Sequence, residues 1–250
     1  MLTRDTTINP DELNFYESLS AFWWDRGGPF WPLHYLNELR VAWILEQCCS
    51  HFGRDPQSAR PLKGLRAIDI GCGGGILSES ISKLGAEVKG IDVVAKNLRI
   101  ATLHAQDQGL SIEYEHRTVE DEVKSGAVYD LVFNMEVVEH VANLPAFMAS
   151  SVSLSGPNGA MFIATINRTL LAWLFAIIGA ENVLRWLPKG THRWSDFRQP
   201  SELVNLLAIN GLNIHARTGV AVNPLTRRFR LTRNMKVNYM LMAIREGIGG

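Results

Sequence analysis

The sequence has no excess of charge of either sign and contains few cysteines. Its 250 residues include 25 lysines and arginines and 25 aspartates and glutamates, so the formal net charge is zero. This balance argues against a nucleic-acid partner that is bound mainly through its phosphates. The three cysteines, Cys48, Cys49 and Cys72, are odd in number, which favours a reducing compartment over a disulfide framework. Residues 1–17 lack the apolar core of a signal peptide and the basic amphipathic pattern of a transit peptide.

A long apolar run is also missing. The most apolar stretch, residues 170–178, covers about ten residues and is too short to cross a bilayer. Arg185, Lys189 and Arg193 follow it, and an apolar helix edged with tryptophan and basic residues can lie in the headgroup region of a membrane. The alternative is a core helix or a lid over the active site. The apolar content of 46% and the charged content of 20% indicate a globular protein with a sizeable core.

The most informative segment is residues 67–75, which read AIDIGCGGG. An apolar strand runs into four glycines, and a helical pattern begins at Ile76, so the backbone can approach a ligand closely at the turn. The spacing Gly71-x-Gly73-x-Gly75 differs from the fingerprint of an NAD oxidoreductase, which needs glycine where Ile76 stands. It resembles the S-adenosylmethionine (SAM) loop of Rossmann-like methyltransferases, and Asp69 suits the ammonium group of SAM. The alternative is a tight turn that binds no ligand.

Strands and helices alternate along most of the chain, which predicts βαβ units and a parallel sheet. We expect strands at 65–70, 87–91, 111–116, 129–134, 160–166, 212–217 and 236–244, and helices at 37–51, 76–84, 95–108, 144–153 and 201–210. This order matches the Rossmann-like α/β fold of class I methyltransferases, a mostly parallel seven-stranded sheet with an antiparallel last strand. We expect residues 1–60 to form a helical N-terminal extension or lid, and residues 61–250 to form the SAM-binding domain with an apolar insert at 167–198.

Acidic residues follow the second and third strands at the predicted cofactor edge of the sheet. Asp92 ends the second strand, where a carboxylate can accept hydrogen bonds from ribose hydroxyls. The alternative is an N-cap for the next helix, and the ribose role would suit NAD as well as SAM. Glu120 and Asp121 follow the third strand, where either can bond the exocyclic amine of adenine. The alternative for these two residues is a solvated acidic turn.

The segment 134–140, NMEVVEH, lies at the carboxyl end of the fourth strand. Glu136, Glu139 and His140 are spaced i, i+3, i+4, so they share one face if this segment is helical. Two carboxylates and an imidazole suit a divalent cation such as Mg²⁺. One alternative makes Glu136 and Glu139 surface acids and His140 a capping or core residue. Another makes His140 a general base that acts without a metal.

Several motifs spread along the chain add a family resemblance to this interpretation. They are Trp23-Trp24-Asp25, Pro32-Leu33-His34 with Asn37-Glu38-Leu39-Arg40, residues 69–77 and 135–140, Asn167-Arg168, residues 183–185 and 188–192, Asn223-Pro224 and residues 237–240. Together they resemble the bacterial ubiquinone biosynthesis O-methyltransferases over nearly the whole length. The resemblance implies that Arg40 contacts the SAM carboxylate, that Gly71 and Asp92 line methionine and ribose, and that Met135 lies against the adenosyl group.

The resemblance further implies that Glu136, Glu139 and His140 hold Mg²⁺. One departure from the family pattern is Phe133-Asn134, which replaces the usual small or cysteine residues before Met135. The implied reaction is SAM-dependent O-methylation of polyprenylated catechols at two steps, one of them from 3-demethylubiquinol to ubiquinol. Mg²⁺ would lower the phenol pKa and orient one oxygen. The implied location is cytoplasmic, on anionic lipid at the inner face of the cytoplasmic membrane. Subunits of a ubiquinone-biosynthesis complex are possible partners. The alternatives are a methyltransferase of a small soluble phenol or amine, and a membrane-docking subunit that binds SAM poorly.

Overall fold

The computed structural model describes residues 22–28, 30–169, 197–223, 226 and 228–245. The helices of this part are α1 (Trp31–Phe52), α2 (Ile76–Lys83), α3 (Ala95–Asp107), α4 (Val119–Lys124), α5 (Leu144–Ser153) and α6 (Pro200–Ile209). The strands are β1 (Arg66–Ile70), β2 (Glu87–Asp92), β3 (Glu113–His116), β4 (Tyr129–Met135), β5 (Ser155–Ile166), β6 (Asn213–Asn223), β7 (Arg228–Thr232) and β8 (Asn238–Ile244).

The strands form one sheet in the order β3-β2-β1-β4-β5-β8-β6-β7. Strands β1 to β5 pair in parallel, whereas β8 pairs antiparallel with both β5 and β6. The predicted Rossmann-like sheet with an antiparallel last strand is therefore confirmed. The predicted number of seven strands is wrong for the described part of the chain, which has eight, because β7 pairs with β6 as a further antiparallel strand.

The strand order reverses between β1 and β4, which are neighbours in the sheet. After β1 the chain adds β2 and β3 on one side, and after β3 it returns to add β4 and β5 on the other side. A crevice opens outside the carboxyl ends of the strands at such a switch point, and it is the usual ligand site of open α/β sheets. Ile70, Asp92 and Met135 end the three strands that border it.

Apolar residues cover both faces of the sheet, as a parallel sheet requires. Successive residues of β4 point to opposite faces, so Phe133 packs with α1 and α2 while Val132 packs with α5 and α6. Trp43 of α1 meets Phe162 of β5 edge to face at 5.9 Å, which fixes this helix across the middle of the sheet. Helix α1 thereby places its inner face beside the switch point.

Two helices differ from the sequence-based expectation by more than a residue or two. Helix α1 begins at Trp31 rather than residue 37, because Pro32 occupies the first turn, where its missing N–H is no loss. Helix α4 stands where the sequence predicts a loop, and Thr118 caps it by accepting a hydrogen bond from the N–H of Asp121. Residues 170–196, most of the predicted insert, lie outside the described residues. Within the described residues, no helix is long and apolar enough to cross a membrane.

Candidate active site

The loop after β1 has the strand-turn-helix form that its glycines predict. Gly71, Gly73 and Gly75 all adopt positive φ angles, of 69°, 54° and 85°, which residues with a Cβ atom rarely adopt. The N–H groups of Gly71 and Cys72 both donate to the carbonyl oxygen of Ile91, so the loop is fastened to the end of β2. Gly75 then caps the N-terminus of α2.

The space left by the missing Cβ atoms is filled by side chains of the protein itself. A Cβ on Gly71 would lie 2.6 Å from a methyl carbon of Val137. A Cβ on Gly73 or Gly74 would lie 2.5 or 2.4 Å from the ring of Trp23. The glycines are therefore needed for internal packing as well as for any approach to a ligand, which the sequence pattern alone does not reveal.

Trp23, Trp24 and Phe30 form an aromatic cover over this loop. Trp23 stacks on Phe30 at 4.0 Å, and its indole N–H donates to the side-chain oxygen of Asn97 at 2.8 Å. The indole N–H of Trp24 donates to the carbonyl oxygen of Gly74 at 2.9 Å, and its ring stacks on that of His104 at 3.5 Å. Sequence reasoning finds the aromatic residues but misses Asn97 and His104, because nothing in their spacing links them to residues 22–30.

Asp92 is buried beside the glycine loop and braces it. One carboxylate oxygen accepts from the N–H of Gly73 at 2.8 Å and the other from the N–H of Val94 at 2.7 Å. Burial raises the pKa of Asp92, and these backbone hydrogen bonds oppose that rise. The alternative role as N-cap of α3 is wrong, because the N-cap residue is Val94 and it makes no side-chain cap.

Asp69 is buried in the middle of the sheet at 3% exposure. The hydroxyl of Ser78 donates to its carboxylate at 2.6 Å, which ties β1 to α2. Burial raises the pKa of Asp69 to about 7, and the Ser78 hydrogen bond and the charge of Arg40 act in the opposite direction. A cationic ligand group near Asp69 would therefore displace a proton from a fraction of the molecules at neutral pH.

The segment after β4 is a turn and not the helix on which the predicted metal site depended. Glu136 has a φ of 58°, in the left-handed region, and its N–H donates to the carbonyl oxygen of Ala164. Residues 138–140 form a turn in which the N–H of His140 donates to the carbonyl oxygen of Val137. The left-handed residue interrupts a helical path, so the i, i+3, i+4 spacing no longer predicts a shared face for the three side chains.

The carboxylates of this turn have different partners. Glu136 forms an ion pair with Arg40 of α1, and Glu139 accepts a hydrogen bond from the Thr165 hydroxyl at 2.7 Å. Glu139 is buried at 5% exposure, so its alternative interpretation as a surface acid is also wrong. Across the described ranges, no group of three His, Cys, Asp or Glu side chains could hold a metal ion. The arrangement therefore does not fit the Mg²⁺ site that the sequence suggested.

Arg40 reaches the switch point from α1, with a side-chain exposure of only 6%. One terminal nitrogen donates to Glu136, while Nε is buried without a hydrogen-bond partner. A buried guanidinium with an unused donor is costly unless a ligand completes it. The pair that sequence reasoning assigned to separate ligands, Arg40 to SAM and Glu136 to Mg²⁺, is thus joined in one contact.

The remaining predicted residues lie around the edge of the crevice. Met135 ends β4 and is half-buried against the α1 face of the sheet. Glu120 is half-buried in the first turn of α4, and Asp121 is exposed and paired with Lys124 at 2.6 Å. The interpretation of Asp121 as a solvated acid is therefore supported, although it lies in a short helix rather than a loop.

Comparisons with known proteins agree with this architecture. A family model described as a methyltransferase domain matches residues 45–217. Among solved structures, magnesium protoporphyrin IX methyltransferase from Synechocystis PCC 6803, with bound S-adenosylhomocysteine (SAH), superposes with a TM-score of 0.61 at 21% identity, covering 92% of this chain and 99% of that one. A methyltransferase from Thermotoga maritima gives a TM-score of 0.61 at 11% identity, covering 94% and 99%. These similarities define a class I SAM-dependent methyltransferase fold.

Curated relatives narrow the class. The ubiquinone biosynthesis O-methyltransferase of Rhizobium etli is 49% identical over 240 residues, covering 96% of this chain and 97% of that protein. The protein of the same name from Chelativorans sp. is also 49% identical, covering 96% and 95%. The chain belongs to the ubiquinone biosynthesis O-methyltransferase family. It is a SAM-dependent O-methyltransferase, which confirms the predicted enzyme class and cofactor.

Proposed function

We propose that this enzyme methylates phenolic hydroxyls of polyprenylated catechol intermediates in ubiquinone biosynthesis. Its two steps would be the conversion of 3-demethylubiquinol to ubiquinol and an earlier methylation of a polyprenyl-benzenediol. The observation that carries the proposal is the near-full-length similarity, at 49% identity, to a relative named for this pathway. The alternative is the same chemistry on another small phenol.

We infer that the amino-acid end of SAM lies between Arg40 and Asp69. The buried Nε of Arg40 has an unused donor for the cofactor carboxylate, and Asp69 offers a carboxylate for the ammonium group. The two side chains are close enough for the charge of Arg40 to lower the pKa of Asp69. A positive and a negative group at the same crevice complement a zwitterion, with Gly71 and Gly73 forming the backbone that follows Asp69.

We propose that the adenosyl end of SAM follows the carboxyl ends of β2 and β4. Asp92 would accept the ribose hydroxyls, since a carboxylate has about four acceptor sites and backbone N–H groups use only part of them. Met135 would pack on the adenosyl group from the end of β4. Glu120 would lie near the exocyclic amine of adenine, from the first turn of α4.

Methyl transfer from a sulfonium is an in-line displacement, so the protein must align the oxygen nucleophile and remove its proton. A phenol with a pKa of about 10 is a poor nucleophile at neutral pH, and a base in hydrogen-bond reach corrects this. We assign this role to His140, which is half-buried in the turn that follows β4. Mg²⁺ assistance by Glu136, Glu139 and His140 would require that turn to rearrange, because Arg40 holds the first carboxylate and Thr165 the second.

The test is methyl transfer from labelled SAM to a short-tailed catechol, with and without EDTA. We expect the rate to survive chelation and to fall about 10²- to 10⁴-fold in His140→Gln. A rate that chelation abolishes and added Mg²⁺ restores would instead support the metal mechanism. No transfer to any catechol, with transfer to another phenol, would favour the alternative substrate.

We also propose that residues 1–60 act as a helical extension or lid for the domain at 61–250, because the aromatic cover from this extension lies on the glycine loop.

The insert at 167–198, and in particular its residues 170–187, would bind anionic lipid and place the enzyme at the inner face of the cytoplasmic membrane. This proposal rests on the sequence of the insert and on the lipid-soluble tail of the proposed substrate. Cosedimentation with anionic rather than neutral liposomes, weakened by salt, would support it. Equal binding to both would contradict it.

A further inference from the structure

The contact between Arg40 and Glu136 joins two elements that border the cofactor crevice. Arg40 lies on α1, and Glu136 follows the last residue of β4. Their side chains are only 6% and 20% exposed. Removing one partner of such a pair leaves the other charge buried without compensation, so each side chain fixes the position of the other.

The residue that makes this contact, Glu136, has a disfavoured backbone conformation. It is the one residue other than glycine with a positive φ in the described chain. Glutamate has no special preference for this region, in contrast to glycine or asparagine. The N–H of Glu136 is anchored to Ala164 on β5, and Val137 packs on Gly71. Strain of this kind persists where the surrounding structure or the function requires it.

The pair leaves Arg40 prepared for a second acceptor. Glu136 uses one terminal nitrogen, and Nε remains buried with no partner in the described structure. A guanidinium can bind two acceptors at once because its N–H groups diverge in a fixed plane. Glu136 therefore orients the guanidinium and leaves its Nε–H donor available for a ligand.

We propose that Glu136 is a positioning residue for the cofactor, which keeps Arg40 oriented for the α-carboxylate of SAM, and that it is not a metal ligand. Glu136 keeps its terminal nitrogen while the cofactor carboxylate takes Nε. The proposal rests on the proposed contact between Arg40 and SAM.

The test compares two ligands in the presence of EDTA: SAH, which has the amino-acid tail, and 5′-methylthioadenosine, which lacks it. In Glu136→Gln, calorimetry should show SAH affinity lowered about ten-fold or more, as for loss of a charge-assisted contact, with 5′-methylthioadenosine affinity unchanged. Glu136→Asp keeps the charge and should recover part of the affinity. In an Arg40→Met background, Glu136→Gln should cause no further loss of SAH affinity.

Glu202→Gln is the matched control, because it breaks a second Arg–Glu pair, with Arg168, and should leave the ratio of the two affinities unchanged. Unchanged SAH affinity in Glu136→Gln would overturn the proposal, as would an equal loss for both ligands, which indicates a general packing role. Tighter SAH binding would make Glu136 a competitor of the cofactor and would also overturn it. Unchanged SAH affinity in Arg40→Met would instead show that Arg40 does not contact the cofactor, which contradicts the proposed function of Arg40.

Discussion

The loops that follow β1 and β4 lie side by side at the switch point, yet they are held in different ways. The loop after β1 requires glycines, which have no side chain, because Trp23 occupies the space where a Cβ of residue 73 or 74 would lie. The turn after β4 is held by polar side-chain contacts, because Glu136 pairs with Arg40 and Glu139 accepts a hydrogen bond from the hydroxyl of Thr165. The first loop should therefore be most sensitive to added volume, whereas the second should be most sensitive to the loss of a polar partner.

The largest effect should come from adding one methyl group to the first loop. Gly73→Ala combines a positive φ with a clash against the Trp23 ring, so we expect the free energy of unfolding to fall by about 2–5 kcal/mol. Gly109 has a similar φ of 67°, and a Cβ added there would meet nothing within 4 Å, so Gly109→Ala isolates the backbone cost. That control should lose only about 1–2 kcal/mol in chemical denaturation.

A second variant sharpens the same experiment. Trp23→Ala makes room for the methyl group but is itself destabilising, so Gly73→Ala should cost less in the Trp23→Ala background than in the wild-type protein. Equal losses in Gly73→Ala and Gly109→Ala would show that Trp23 does not restrict the loop. The contrast between the two loops would then be wrong.

The next effect concerns the charge beneath the first loop. With a pKa of about 7, Asp69 holds a proton in an increasing fraction of molecules as the pH falls, and the ammonium group of SAH binds the ionised form better. SAH affinity should thus fall as the pH drops below about 7, by up to about ten-fold per unit, with proton release on binding.

The control for this pH dependence is Asp69→Asn, because Asp92 also has a raised pKa and could contribute. Calorimetry in two buffers of different ionisation enthalpy counts the released protons. We expect the variant to bind SAH more weakly and with little dependence on pH. The same slope in both proteins would assign the proton to another group.

A smaller effect is expected in the turn after β4. Thr165→Val removes the hydroxyl that donates to buried Glu139, which should lower the free energy of unfolding by about 1–3 kcal/mol. Thr165→Ser keeps the hydroxyl and should retain most of it. SAH affinity should stay the same in both, because the hydroxyl contacts Glu139 and is not part of the Arg40–Glu136 pair. If valine is as stable as serine, the hydrogen bond contributes nothing to the turn.

The smallest effect should come from Trp24. Trp24→Phe removes the indole N–H that donates to Gly74 but keeps an aromatic ring against His104. We expect a loss of about 0.5–1.5 kcal/mol in thermal or chemical unfolding. Trp24→Ala, which also loses the stacking, should be measurably less stable than Trp24→Phe. Equal stability of the two variants would exclude a contribution from the stack.

The elements nearest the cofactor loop are those that the sequence predicts well. Apolar strand β1, the glycines and helix α2 form one continuous signal, and their bounds agree within a residue or two with the structure. Helix α4 is harder to foresee, because six residues rich in acids give no apolar period. Strand β7 is also missed from the sequence, since Phe229 and Leu231 are the apolar positions of a short, half-exposed strand.

The turn after β4 marks the limit of spacing arguments. Helical spacing predicts a shared face only if every residue of the segment has right-handed helical backbone angles. The side chain of Glu136 gives no indication that its φ is 58°. The contact between Arg40 and Glu136 crosses 96 positions of the chain, and that between Trp23 and Asn97 crosses 74. Such long-range pairs follow from the tertiary fold and leave no local pattern.

The position of β8 sets an order in which the protein can be completed during its synthesis. It is the last strand along the described chain, yet it lies between β5 and β6, and Tyr239 through Ala243 are almost fully buried there. Until residues 238–244 have left the ribosome, β5 presents an unpaired edge and the β6–β7 hairpin has nothing to join. A nascent chain paused at that point would carry an exposed template for strand pairing, which is a recognised aggregation hazard. Strand β8 therefore acts as a closing step, because its pairing with β5 and β6 removes that edge.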